Sequence, residues 1–237
     1  MKRIILFLVA VVIQLSLKAQ TFNVFKGDTI NRIDVKGFKQ GLWRKYYETD
    51  PLYFEGYYKN SKRMGTFRTF HKNGHLQSTL KFRGNTEVSD AELMYDTGVL
   101  MAKGKYIEKT KDSLWFFFDA EGQKSAEEFY LKGMKEGIWK IFHKNGTISQ
   151  QIQYKAGKKN GVYKEYFESG NIKMNGIMSN DEFVDKLTIY HPNGKIWQSG
   201  KYVKGLKEGK WIFYKEDGTF EKDKEFKEGV VTTPEDE

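Results

Sequence analysis

The chain has 237 residues, of which 39% are hydrophobic, 16% aromatic and 30% charged, and its formal net charge is +9. It contains no cysteine, which excludes disulfides and lipid attachment through a cysteine. Lysine and glutamate are mixed along most of the chain, so no basic block favours nucleic acid as a partner.

The N-terminal segment is typical of a cleavable secretory signal. Lys2 and Arg3 precede a mostly apolar run that is shorter than the ~20 residues of a membrane-spanning helix, which is the alternative interpretation. We predict cleavage between Ala19 and Gln20 and export to the periplasm, the cell envelope or the medium. Loss of residues 1–19 removes three basic residues and leaves a net charge of +6, from 37 basic and 31 acidic residues.

The rest of the chain repeats itself every 24 residues. One slot holds glycine in seven successive units, and a second slot, eight positions later, holds an aromatic residue or methionine. A fixed period of this length is typical of a repeat array. We predict a half-repeat cap over residues 20–40, eight repeats over 41–232 and an acidic tail over 233–237. The glycines are Gly74, Gly98, Gly122, Gly146, Gly170, Gly194 and Gly218, and the second slot holds Tyr58, Phe82, Tyr106, Tyr130, Tyr154, Met178, Tyr202 and Phe226.

Each unit is predicted to be a two-stranded hairpin. In residues 137–160, two β-rich runs are separated by Asn145-Gly146, and a second glycine-containing turn follows. Asn-Gly indicates a tight turn because both residues tolerate positive φ. The pair recurs at Asn73-Gly74 and Asn193-Gly194. Nothing in the pattern favours helices.

The predicted fold is all-β: an elongated, twisted single sheet of about eight hairpins in antiparallel meander order, on the order of 75 Å long. Two ladders of residues with opposite parity along the strands are both apolar, so we expect a curled sheet with ring stacking on both sides. One ladder is Trp43, Phe67, Trp115, Trp139, Tyr163, Leu187 and Trp211, and the other is Tyr46, Phe70, Phe118, Phe142, Tyr166, Tyr190 and Tyr214.

The repeating motif resembles MORN-type repeats (membrane occupation and recognition nexus), in the bacterial variant found in proteins called YwqK-type antitoxins. The resemblance implies a hairpin array used in protein or lipid contacts, and an antitoxin role for some members. It is carried best by Gly137, Trp139, Phe142, Gly146, Tyr154 and Gly157, and by Gly209, Trp211, Tyr214, Gly218, Phe226 and Gly229.

Two units depart from the motif. Residues 89–112 have Ser89 and Ala91 where glycine and tryptophan are expected, and residues 185–208 have Asp185 and Leu187 there. The simpler interpretation is sequence drift that the array tolerates. The alternative is a bend or a partner site, and we expect the joint before Ser89 to be looser or bulged.

The sequence predicts neither an enzyme, nor a cofactor, nor a metal site, nor a small-molecule substrate. No nucleophile, phosphate-loop or zinc motif is present. Strand spacing separates His143 from His191 by ~19 Å, too far to share a zinc ion. We expect the histidines to lie exposed at turn entries; they are His71, His75, His143 and His191.

The leading hypothesis is an exported, non-enzymatic repeat protein that binds a protein partner in the cell envelope. The alternatives are an antitoxin or immunity protein and peripheral binding to anionic lipid. The predicted interaction residues are Trp43, Trp115, Trp139, Trp211, Lys158 and Lys159, with packing inside the array as the alternative role of the rings. The predicted lipid-contacting cations are Lys59, Lys62, Arg63, Lys158, Lys159 and Lys207.

Overall fold

The structure is a computed structural model that describes residues 19–25, 27–48, 51–84 and 86–232. The predicted signal up to Lys18 and the predicted acidic tail lie outside the described residues. All described regular elements are β-strands: β1 (Thr21–Phe25), β2 (Asp28–Ile33), β3 (Lys39–Tyr46), β4 (Leu52–Lys59), β5 (Lys62–Phe70), β6 (Leu76–Phe82), β7 (Val88–Met94), β8 (Leu100–Ile107), β9 (Thr110–Phe118), β10 (Lys124–Leu131), β11 (Met134–Lys135), β12 (Gly137–Phe142), β13 (Ile148–Lys155), β14 (Lys158–Tyr166), β15 (Ile172–Ser179), β16 (Glu182–Tyr190), β17 (Ile196–Val203), β18 (Leu206–Tyr214), β19 (Phe220–Lys227) and β20 (Val230–Val231).

The strands form one open antiparallel meander, which confirms the predicted fold. Each strand pairs with the next along the chain, from β1 to β10 and from β12 to β20. The short strands β11 and β12 both pair with β10 and are separated by Glu136. Across the described ranges, no helix has the length and hydropathy to span a membrane.

The tight turns lie between units, at the second glycine-containing turn of the sequence analysis and not at the Asn-Gly pairs. Both central residues have positive φ there, as at Ala156 (49°) and Gly157 (85°), which is the type I′ geometry of two-residue hairpins. At the predicted Asn-Gly turns only the glycine has positive φ, for example 83° at Gly146. The prediction of a positive-φ asparagine is therefore wrong, because this hairpin loop is longer and Asn145 acts through its side chain.

Side chains at these longer loops join each unit to the next. The Asn145 amide Nδ2 donates to the Glu168 carbonyl at 2.9 Å, and the His143 ring Nε2 lies 3.0 Å from the Tyr166 carbonyl. His71 and His191 make the same contact in their units, and Tyr47 and Tyr95, in the same slot, donate their hydroxyls to the equivalent carbonyls at 2.9 Å. His71, His143 and His191 are half-buried, not exposed as expected, because the next unit covers them; only His75 is exposed.

The two faces of the sheet differ more than the sequence analysis expects. The ladder that runs from Trp43 to Trp211 is buried, apart from the half-buried Trp43, and we call this side the ring face. The ladder that runs from Tyr46 to Tyr214 is only half-buried, beside register shifts near the loops. The side opposite the ring face is called the polar face. It carries a cross-strand row of residues that are polar except for Phe116 and Ile212. This row is Arg44, Glu55, Arg68, Thr79, Glu92, Lys103, Phe116, Glu127, Lys140, Gln151, Lys164, Asn175, Thr188, Ser199, Ile212 and Asp223. The expected stacking on both sides is thus corrected to one apolar side.

Packing on the ring face depends on an alternation of small and large residues. A Cβ added to Gly200 would overlap the Trp211 ring, which lies against that glycine on the neighbouring strand. The same overlap occurs for Gly104 with Trp115, Gly56 with Phe67 and Gly176 with Leu187. In the unit that departs from the motif the order is reversed, since Leu80 pairs with Ala91. In these pairs, close packing is achieved by complementary volumes at positions eleven residues apart.

The two irregular units behave differently. Asp185 adopts φ 58° and keeps the backbone conformation that glycine has in the regular units, so this unit retains the register shift. Ser89 does not have positive φ, and the β6–β7 pair keeps one register from Ser78–Leu93 to Phe82–Ser89. The joint before Ser89, which we expected to be looser or bulged, is therefore a wider loop, and its two strands lack the register shift of the regular units.

We predict that His143→Phe lowers the free energy of unfolding by about 1 kcal/mol, because it removes one inter-unit hydrogen bond. Phenylalanine fits this slot, as Phe167 occupies it in the next unit. The matched control, His143→Tyr, restores a donor of the kind seen at Tyr47 and Tyr95 and should keep most of the stability. Urea denaturation measures both; equal losses in the two variants would contradict the role of the hydrogen bond.

We predict that Gly104→Leu destabilises the array by about 2 kcal/mol, because the added side chain overlaps the Trp115 ring. Combined with Trp115→Ala, it reproduces the natural Leu80–Ala91 pair. The double variant should then lose less stability than the sum of the single losses, by about 1 kcal/mol. Additive losses in a double-mutant cycle would show that the volumes are not coupled.

Candidate binding surface on the ring face

The four predicted tryptophans pack inside the array. Trp115 and Trp211 are fully buried, Trp139 is 5% exposed and Trp43 is half-buried. Three indole N–H groups donate to backbone carbonyls of the preceding strand, at 3.0 Å for Trp115, 2.9 Å for Trp139 and 3.2 Å for Trp211. The indole rings therefore pack inside the array, which is the alternative role that the sequence analysis gave them. Cationic side chains lie over their outer surface.

Lys158 and Lys159 occupy different surroundings because successive residues of a strand point to opposite faces. Lys158 is exposed at the inter-unit turn opposite Lys155. Lys159 is half-buried on the ring face, with its Nζ 5.7 Å from the centroid of the Tyr163 ring. Ala19 and Gln20 lie exposed before β1, apart from these residues.

Lys159 is one member of a row of cations that the sequence analysis found only in part. The members share a 24-residue slot, and each places its charge over one or more rings of the ring face. The distance to the nearest ring centroid is 4.4 Å for Lys39, 4.4 Å for Arg63, 4.4 Å for Lys111, 4.4 Å for Lys135, 5.7 Å for Lys159 and 4.0 Å for Lys207. Lys39, Lys111 and Lys135 were missed, although counting in steps of 24 from Arg63 would have found them.

The row has two substitutions, Glu87 and Phe183. Glu87 accepts a hydrogen bond from the Arg63 guanidinium at 2.7 Å, and the Phe183 ring contacts the Tyr163 and Tyr202 rings. The longest uninterrupted run is therefore Lys111, Lys135 and Lys159, spaced ~10 Å apart by two strand spacings.

The cations of this row lack part of their hydration. Burial lowers the pKa of Lys111 and of Lys207 from the usual lysine value, because the charged form loses contact with water. Attraction to the ring faces offsets part of that cost, by about 0.5–2 kcal/mol for each cation–π contact. A partially desolvated ammonium group interacts strongly with an anion that approaches it.

Two carboxylates on the ring face accept hydrogen bonds from tyrosines, and the charge of one of them, Glu128, also acts on Lys111. The Tyr130 hydroxyl donates to Glu128 Oε2, and the Tyr163 hydroxyl donates to Glu165 Oε1, both at 2.6 Å. Burial, and then this hydrogen bond, raise the pKa of both tyrosines. The arrangement is suited to binding an extended acidic surface.

The described residues offer little for catalysis. No group of three or more histidine, aspartate or glutamate side chains lies close enough to hold a metal ion in the part of the chain that the structure describes. Each of the four histidine rings lies within hydrogen-bond distance of a backbone carbonyl, from 2.6 Å for His75 to 3.2 Å for His71.

We predict that the protein loses stability as the pH rises above 10. Burial raises the pKa of six ring-face tyrosines above the usual 10.0: Tyr58, Tyr106, Tyr130, Tyr154, Tyr163 and Tyr202. The unfolded chain loses these protons first, so the stabilisation is complete below pH 10 and is lost as the pH passes through the folded-state pKa values.

Absorbance at 295 nm, compared between the folded protein and the protein in guanidinium, measures this effect. The control is Tyr130→Phe, since Phe82 and Phe226 fill the same slot. Its stability should depend less on pH than that of the wild type above pH 10. Titration of all 14 tyrosines at the guanidinium value would contradict the prediction.

Comparison with known families agrees with this geometry. Five segments of the chain match the family described as MORN repeat variant, at residues 39–60, 65–83, 135–156, 159–178 and 186–204. No curated protein is significantly similar to the chain. The matches confirm the resemblance to MORN-type repeats over these five segments, while the likeness to YwqK-type antitoxins stays a prediction. The chain is thus a β-hairpin repeat protein in which five segments are similar to MORN repeat variants.

Proposed function

We propose that this chain is an exported, non-enzymatic repeat protein that binds an acidic protein partner in the cell envelope through its ring face. The observation that carries the proposal is the row of half-buried cations at 24-residue intervals, each held over the ring ladder. Fixed cations on a rigid floor lose little conformational entropy on binding, which favours recognition over a flexible, fully solvated lysine surface.

An extended partner fits this surface better than a small anion. Neighbouring cations lie ~10 Å apart, and exposed charges at that distance are largely screened at physiological salt. A single small anion would contact one cation, whereas a strand or helix with several carboxylates would contact three. The run Lys111, Lys135 and Lys159 is the part of the row that we propose as the main contact.

The non-enzymatic part of the proposal is supported by the hydrogen bonds that the histidines and two ring-face carboxylates make within the array. The histidines join adjacent units through backbone carbonyls, and the ring-face carboxylates Glu128 and Glu165 accept hydrogen bonds from tyrosines. An antitoxin or immunity role is a special case of partner binding, and we propose it only for a toxin that acts in the envelope, because an exported protein would not meet a cytosolic one.

The test compares two triple variants of the full chain that remove the same charge. Lys111→Met/Lys135→Met/Lys159→Met changes the ring face, and Lys164→Met/Lys186→Met/Lys201→Met changes the polar face. In a cell-envelope crosslinking experiment read by mass spectrometry, the ring-face variant should recover at least about tenfold less partner than the polar-face control. That difference corresponds to about 1.4 kcal/mol in binding free energy.

Three outcomes would contradict the proposal. Equal recovery by the two variants would remove the ring face as the contact. Binding of the purified wild type to anionic vesicles, with no crosslinked protein, would favour the lipid alternative. Retention of residues 1–19, instead of an N-terminus at Gln20 in the same preparation, would remove signal cleavage from the proposal.

A further inference from the structure

The ring ladder has a gap in the unit that departs most from the motif. Ring contacts run from Trp43 through Tyr58 and Phe67 to Phe82, and they resume between Tyr106 and Trp115. Ala91 occupies the intervening slot, which holds an aromatic residue or leucine in the other units. At this place the larger residue lies on the preceding strand, where Leu80 pairs with the buried Ala91.

The backbone around Ala91 preserves this gap. The β6–β7 joint lacks the register shift that brings a cation over the rings at other joints, and its wider loop places Glu87 at the exposed rim. Leu80, Leu93 and Tyr106 pack against the buried cluster of Ala91, Ala102 and Trp115. They form an apolar floor and leave open the space above it.

Three adjoining cavities cross the ring face at this unit. The central one has a volume of about 240 Å³, and its lining includes Leu80, Leu93 and Tyr106. It shares Arg63, Glu87 and Lys109 with a cavity of about 630 Å³ at the inter-unit turns. On the other side it shares Ser78 and Leu93 with a cavity of about 580 Å³ that extends to His71 and Asp96 at the hairpin loops. Together they form a groove parallel to β6 and β7, which we call the gap groove.

The ends of the gap groove differ in charge. The inter-unit end is lined by three basic residues, Lys39, Arg63 and Lys109, and two acidic residues, Glu87 and Glu108. Because Arg63 and Glu87 form an ion pair, the other charges at this end are two cations, Lys39 and Lys109, and one carboxylate, Glu108. A segment that carries carboxylates is therefore favoured at this end.

We propose that the gap groove binds an extended segment of the protein partner, with one aromatic side chain in the central cavity and a carboxylate facing Lys109. The inference rests on the proposed function and adds the chemistry of the bound segment. The inserted ring would lie in the central cavity against Leu80, Leu93 and Tyr106, in the stretch between the Phe82 and Tyr106 rings.

The dimensions of the groove suit such a segment. Strand β7 has seven residues, so the groove is ~24 Å long and accommodates about seven residues in extended conformation. Burial of an aromatic side chain removes a large apolar surface from water, and edge-to-face contacts with neighbouring rings add to this gain. The aromatic residue should therefore account for most of the affinity of a short peptide.

The direct test measures binding of three fluorescein-labelled heptapeptides to the full-length mature chain by anisotropy. The first has a central tryptophan flanked by aspartates, the second has alanine in place of tryptophan, and the third has tryptophan flanked by serines. We expect the first to bind at least about tenfold more tightly than the second and about threefold more tightly than the third. Equal affinity of the first and second peptides would overturn the proposal.

Two variants of the chain locate the binding site. Leu80→Gly/Ala91→Trp reproduces the Gly104–Trp115 pair of the next unit. The tryptophan ring is designed to take the space of Leu80 and to extend into the central cavity that Leu80 lines, and we call this double variant the filled variant. It should keep or raise the melting temperature and weaken binding of the tryptophan peptide at least about tenfold. Lys109→Asp is compatible with the turn, because Asp181 adopts φ 74° in the same slot where Lys109 adopts 75°. It should weaken the aspartate-flanked peptide and leave the serine-flanked peptide unchanged.

Lys186→Met, on the polar face, is the matched control and should bind all three peptides as the wild type does. Should the filled variant fold and bind the tryptophan peptide with wild-type affinity, the gap groove is not the site. Should the filled variant fail to fold, the peptide series and Lys109→Asp decide the question.

The same variants separate this inference from the proposed function. Crosslinked partner recovered equally by the wild type and the filled variant would reject the gap groove and keep partner binding by the ring face. No protein partner for either chain would reject the proposed function, and the peptide affinities would still decide whether the groove selects aromatic residues.

Discussion

Stacking of rings between consecutive hairpins is the interaction on which this structure depends. A single hairpin is marginally stable in water, and one face of each hairpin here presents a large apolar side chain. In four units a glycine on the preceding strand lies beneath that side chain, as Gly200 does for Trp211. The 24-residue period keeps these complementary positions in register from one unit to the next.

The surface chemistry follows from the same constraint. Because the ladder fixes the position of each ring, it also fixes the slot from which a cation can reach that ring. The ammonium group of Lys207 lies 4.0 Å from the centroid of the Trp211 ring. The ammonium group of Lys135 lies 4.4 Å from the centroid of the Trp139 ring, and each neighbouring residue in the row lies two strands away. A repeat that stabilises its core in this way produces a regular, cationic surface on its ring face, which is the surface that we propose for partner binding.

Departure from the repeat has different consequences at its two sites. Asp185 adopts the left-handed backbone that glycine usually supplies, and Leu187 still fills the ladder slot, so the array continues unchanged. At Ser89 and Ala91 both the backbone conformation and the side-chain volume differ, and a groove results. Sequence drift alone explains the first site, whereas the second combines an altered joint, a missing ring and a charged rim in one place.

The sequence by itself determined the hairpin repeat, its period, the meander order and the absence of predicted helices, because these depend on local turn residues and on alternation along single strands. It also identified the ladder from Trp43 to Trp211 as a set of equivalent positions. Only the tertiary structure decided which ladder is buried, that His143 contacts the next unit, and that Lys158 and Lys159 lie in different surroundings. These features depend on which face of the sheet the packing buries and on contacts between successive units, and neither changes the repeat length.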